Sequence, residues 1–131
     1  MTNRLLTLGL SIGVAACGIA ACSSTTDVEP VTSESWRGDV GQTNMLMTMT
    51  IAHRGTNVSG SGGFVAVLVP GSVQSYTITG TRRADTLDLA MKGNGEQIHF
   101  VGQYNGSSRT GLTGIIAGGD YNGITVVLRR Q

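Results

Sequence analysis

From Glu34 to the last residue, apolar side chains recur at every second position, and breaks rich in glycine interrupt the pattern about every ten residues. A period of two belongs to a β-strand, which turns successive side chains to opposite faces. The pattern predicts eight strands, at 34–41, 45–54, 57–69, 73–82, 86–92, 97–104, 111–117 and 123–130. Asn-Gly steps at 94–95, 105–106 and 122–123 supply the positive φ angles that tight hairpin turns require. No helical period occurs in this region. Even spacing implies a meander, and eight such strands can close into a barrel that leaves no exposed edge. The expected fold class is therefore all-β, a small eight-stranded up-and-down antiparallel barrel. An open sheet or sandwich is the alternative.

Parity identifies the inward face. Met45, Met47, Met49 and Ile51 alternate with Leu46, Thr48 and Thr50. In the same way Tyr76 and Ile78, then Leu87, Leu89 and Met91, then Ile98 and Phe100, then Ile124, Val126 and Leu128 fall on one side of their strands. Gly60, Gly80, Gly102 and Gly114 share the apolar parity of their own strands, where a glycine marks a bend or a close backbone approach. The hairpin across 93–95 has two face-preserving registers, one pairing Leu89 with Ile98 and one pairing Met91 with Ile98. An eight-stranded barrel is only just wide enough for its own side chains, so bulky inward residues imply a filled interior.

The first residues have a different character. Arg4 is followed by an uncharged run from Leu5 to Ala21, the layout of a secretory signal peptide. Its end, Ile19-Ala20-Ala21-Cys22, resembles the lipobox of bacterial lipoproteins, and Val14-Ala15-Ala16-Cys17 is a second fit. The resemblance implies a diacylglyceryl group on the Cys22 thiol, with Cys17 the alternative. Residues 23–30 have the composition of a polar tether, whereas the residues after Cys17 continue the signal. The expected organisation is a signal peptide over 1–21, a tether over 22–33 and the barrel over 34–131. Acyl chains contribute about 0.8 kcal/mol per buried methylene, so several anchor a chain durably. The lipid membrane is thus the expected partner and the bacterial cell envelope the expected location, with the outer membrane favoured in a diderm by Ser23 after the cysteine. No cofactor is expected besides this covalent lipid.

Apart from Arg4, eight basic residues face eight acidic ones. The sequence shows no basic stripe for nucleic acid and no polybasic membrane patch. With Cys22 acylated and Cys17 removed with the signal, the mature chain is expected to have no free thiol and no disulfide.

Ser35-Trp36-Arg37-Gly38 on the first strand and Arg129-Arg130 on the last resemble the calycin superfamily of lipocalins, avidins and small lipocalin-like bacterial proteins. The glycine that the family usually carries two positions before the Trp is Glu34 here. The resemblance implies that Trp36 closes one barrel end and that Arg129 or Arg130 lies across it, a cation–π contact of roughly 0.5–2 kcal/mol. It also implies binding of a small apolar ligand, with Met45, Met47, Met49, Tyr76 and Phe100 as lining candidates. Biotin is not expected, since an avidin pocket uses several tryptophans and this chain has one.

Two constellations remain. Met45, Met47 and Met49 with His53 form a row of thioethers and an imidazole on one face, a donor set suited to copper(I) or silver(I). Methionine is also an adaptable core filler. His99 and Asp88 can meet across a hairpin, but on the outward face and with no nucleophile beside them, which fits a solvated cross-strand pair. There is no phosphate loop or serine elbow, so the residues point to a non-catalytic protein that binds an apolar ligand or another envelope component, with soft-metal binding as the alternative. Residues 64–69 are apolar on both strand faces, which marks a partner contact or a stretch covered by a loop.

Overall fold

The structure is a computed structural model, and it describes residues 29–131. Eight strands follow one another: β1 (Thr32–Val40), β2 (Met45–Arg54), β3 (Asn57–Ala66), β4 (Val73–Arg83), β5 (Thr86–Gly93), β6 (Glu96–Asn105), β7 (Gly111–Gly118) and β8 (Tyr121–Arg130). Each pairs antiparallel with the next, and β1 pairs with β8, so the sheet closes into a barrel. Closure sets Trp36 opposite Arg130, Gly38 opposite Leu128 and Val40 opposite Val126. The expected lipidation sites Cys17 and Cys22, the expected signal peptide and the first part of the expected tether lie outside the described residues.

The β5–β6 hairpin takes the register that pairs Met91 with Ile98. Asn94 (φ 49°) and Gly95 (φ 77°) are both left-handed, as a two-residue hairpin turn demands. The Asn122-Gly123 step behaves differently from its expected role. The β7–β8 turn uses Gly119 and Asp120, and Gly123 (φ 68°) is the extra residue of a bulge between the Ile116–Ile124 and Ala117–Asn122 pairs. That bulge lengthens β8 back to Tyr121 and turns the Tyr121 ring inward. Strand β3 stops at Ala66 rather than continuing to Val69. Val69 N and Ser72 N close successive turns onto the Ala66 and Val69 carbonyls, and Pro70 has no N–H to offer a ladder.

Alternation holds around the barrel. Met47, Ile51, Ile78, Leu89, Phe100 and Leu128 have no accessible surface. A side chain with zero accessible area borders no space large enough for a water molecule, so the centre is packed. Phe100 shows why the inward glycines are needed. Gly102 and Gly114 are paired across β6 and β7, and a Cβ on either would lie 2.5 Å from a carbon of the Phe100 ring. The two bare backbones leave a slot that the ring fills, and burying such a ring stabilises by roughly 1.5–3 kcal/mol.

The barrel has two distinct ends. At one, called here the tether end, the chain enters β1, the β2–β3, β4–β5 and β6–β7 connections turn, and β8 finishes. The other, the far end, carries the β1–β2, β3–β4, β5–β6 and β7–β8 connections.

Candidate functional site

The most distinctive chemistry lies just inside the tether end. Glu34, on β1, is 6% exposed, and His53, at the end of β2, is 4% exposed. Both point inward by parity, Glu34 sharing its face with Trp36 and His53 with the methionine row. Tyr104 arrives from β6, on the opposite wall, with the parity of Phe100 and Gly102. The Glu34 Oε2 atom accepts three hydrogen bonds, from the Tyr104 hydroxyl at 2.8 Å, His53 Nε2 at 3.1 Å and Trp36 Nε1 at 3.3 Å. Arg130 places a guanidinium nitrogen 3.9 Å from Oε1. Tyr104 OH and His53 Nε2 are 3.3 Å apart. The bond to a carboxylate requires a proton on His53 Nε2, and Nδ1 is buried without a partner.

Burial by itself pushes the Glu34 carboxyl up. The hydrogen bonds from Tyr104 and His53, with the charges of His53 and Arg130, outweigh it and hold the group below its ordinary value. Glu34 is therefore a carboxylate at neutral pH. Burial first, and the adjacent Glu34 second, push the Tyr104 hydroxyl up, so it stays a donor. The Tyr104 ring leans on Trp36 at 5.6 Å and 54°, and the guanidinium groups of Arg82 and Arg109 each sit 5.4 Å from its centroid. Asp85, Gln103, Gly106, Ser107 and Arg109 line an open cleft beside it.

This arrangement corrects the expected closure. Among the described residues, the cations over an aromatic ring are Arg82 and Arg109, and the ring is Tyr104 rather than Trp36. Arg130 has the right parity and the right strand, but it is directed at Glu34. Arg129 has outward parity and lies on the solvent side, in register with Arg37. Trp36 sits one layer deeper, 1% exposed.

The other expected site residues lie deeper or at the far end. Met47 (0% exposed), Met49 (2%) and Phe100 (0%) are in the packed core, and no water-sized space adjoins Met47 or Phe100. Met45 is half-buried and its sulfur accepts a weak bond from the Tyr121 hydroxyl at 3.9 Å. The methionine row and His53 share a face, yet His53 Nε2 is already engaged by Glu34. Tyr76 belongs to a second polar group at the far end. Its hydroxyl lies 3.0 Å from Glu96 Oε2 and 3.3 Å from Gln74 Oε1, and burial first, then Glu96, push it up. Phe64 packs between Tyr121, stacked at 5.0 Å, and the edge of Tyr76 at 5.5 Å. His99 and Asp88 meet on the outer face, each more than half exposed. Val67, Leu68 and Val69, in the β3–β4 loop, stand in solvent, with Leu68 72% exposed.

Glu34 and Tyr104 are the site residues that sequence reasoning missed. The available signal was parity: a carboxylate two positions from an inward Trp, and a tyrosine four positions from an inward Phe. What parity cannot supply is the contact across the barrel between residues 70 positions apart. Compared with known proteins, the chain matches no family model, no curated protein and no solved structure.

Proposed function

We propose that the chain is a lipoprotein of the bacterial cell envelope, held at a membrane by an acylated Cys22, whose calycin-like barrel is a non-catalytic module that contacts another envelope component through its exterior. The packed interior carries this reading over that of an internal carrier. Met47 and Phe100 have no accessible surface, which leaves no room for an apolar ligand beside them in the barrel centre, while Trp36, Met49 and Tyr76 line an open groove. The exterior, by contrast, offers the apolar Val67-Leu68-Val69 loop, and exposed apolar clusters of this kind serve contacts. The soft-metal reading has less support, because Met47 and Met49 are enclosed and His53 is occupied.

Two measurements test the proposal. Metabolic labelling with a radioactive fatty acid should mark the mature protein, survive Cys17→Ser and vanish in Cys22→Ser; an unlabelled wild type overturns the anchor. Titration with a fluorescent fatty acid should show no stoichiometric uptake, and uptake abolished by Phe100→Trp would restore the carrier reading.

A further inference from the structure

We infer that the tether end is a docking face for an anionic phospholipid surface, so that the barrel stands on the membrane with Tyr104 down and the Val67-Leu68-Val69 loop away from it. This deepens the lipoprotein reading and rests on it for the anchor.

The charges of the domain are sorted by barrel end. Arg54, Arg82, Arg83, Arg109, Arg129 and Arg130 all occupy strand termini or connections at the tether end. Among the described residues, the acids toward that end are Asp85, paired with Arg109 at 2.7 Å, Asp88, two residues into β5 and paired with His99, the buried Glu34, and Glu29, whose carboxylate lies beside Gly55. Among the described residues, Arg54, Arg82, Arg83 and Arg129 form no ion pair. The far end carries Asp39, Glu96 and Asp120 against Lys92. Arg129 also stands directly across the β1–β8 ladder from Arg37. Like charges placed so are unfavourable alone, and a multivalent anionic surface relieves them.

The second observation is where the chain leaves. Cys22 precedes the start of β1 at Thr32 by ten residues, and β1 starts at the arginine end. Fully extended, that segment spans roughly 33–36 Å. A tilted barrel of these strands is about 25 Å tall, so the tether alone permits either orientation. Charge then decides. Arginines within a Debye length of the headgroups, about 8–10 Å at physiological salt, are attracted, and the acidic far end is repelled. Arginine suits the role because its fork donates two parallel bonds to a phosphate.

The test uses the full chain made in a lipid-modifying host, its acylation checked by mass spectrometry, and reconstituted in vesicles. One set is phosphatidylcholine; the other contains about one third phosphatidylglycerol. A fluorophore on Ser107→Cys reports the tether end and one on Ser72→Cys the far end, with quenching by headgroup spin-labelled lipid. In anionic vesicles the Ser107 label should be quenched and the Ser72 label spared. About 0.5 M salt should release the Ser107 label. Arg54→Gln, Arg83→Gln and Arg129→Gln touch none of the buried network. Each should lower the ratio of docked to undocked protein about fivefold, and together about a hundredfold. Stronger quenching at Ser72, or equal quenching in both lipid compositions, overturns the inference. If mass spectrometry finds no acyl group, the anchor reading fails separately. Co-sedimentation of that unacylated chain with anionic vesicles, lost in the triple variant, would still support the docking face, and absence of co-sedimentation would overturn it.

Discussion

Replacing Glu34 by alanine should be the most damaging single change at the tether end. The carboxylate is the common acceptor for Tyr104 OH, His53 Nε2 and Trp36 Nε1, all buried. Glu34→Ala removes it and leaves three donors without a partner. A buried unsatisfied donor costs about 1–3 kcal/mol, which bounds the total at roughly 3–9 kcal/mol. Water entering past the half-exposed Arg130 side chain lowers that total, and the loss expected for breaking a buried ion pair, about 3–5 kcal/mol, is the better value. Urea unfolding followed by the fluorescence of Trp36, the single tryptophan, reads it directly. Tyr104→Phe removes one donor and should cost about 1.5–3 kcal/mol, as for a bond to a charged group. The double variant should cost less than the sum of the two, because the orphaned hydroxyl is gone as well. A Glu34→Ala loss under about 1 kcal/mol, or strict additivity with Tyr104→Phe, would refute the claim that this carboxylate organises the barrel end.

Three further outcomes follow from the same structure. Because the folded-state Glu34 value lies below its ordinary 4.5, its contribution is present above about pH 4.5 and is lost as pH falls below it; stability against pH should show this acid loss in the wild type and a weaker one in Glu34→Ala. Gly114→Ala puts a methyl against the Phe100 ring and the Val101 carbonyl at 2.7 Å, and should cost about 1–3 kcal/mol, partly recovered by adding Phe100→Leu; full tolerance would mean the slot is not filled. Copper(I) titration should leave the methyl resonances of Met47 and Met49 unmoved, since both sulfurs are enclosed, and stoichiometric shifts would reinstate the metal reading.

Much of the barrel was legible in the chain. Inward positions such as Met47, Ile78, Leu89 and Phe100 follow from a strict period of two, because side-chain direction along a strand is a local backbone property. A tight turn at 93–95 was legible for the same reason, since its chemistry lies in adjacent residues, but its two face-preserving registers were separated only by the paired strands, which set Met91 opposite Ile98. Asn122-Gly123 offers the identical local signal and yet forms a bulge, because β7 and β8 together choose the Gly119-Asp120 turn, which brings Tyr121 into the core with Phe64. Val67, Leu68 and Val69 read as strand by composition, but the neighbouring turn bonds and Pro70 end the ladder at Ala66.

Local sequence thus determined the strands, their inward faces and the place where the chain begins its barrel. Only the closed tertiary structure decided that Glu34, His53 and Tyr104 meet, that Arg130 answers Glu34 instead of Trp36, and that six arginines gather at one rim. The reason is physical. Alternation and turn geometry are set within a few residues, whereas contacts across a lumen and the sorting of charge between two ends exist only once β8 has paired with β1.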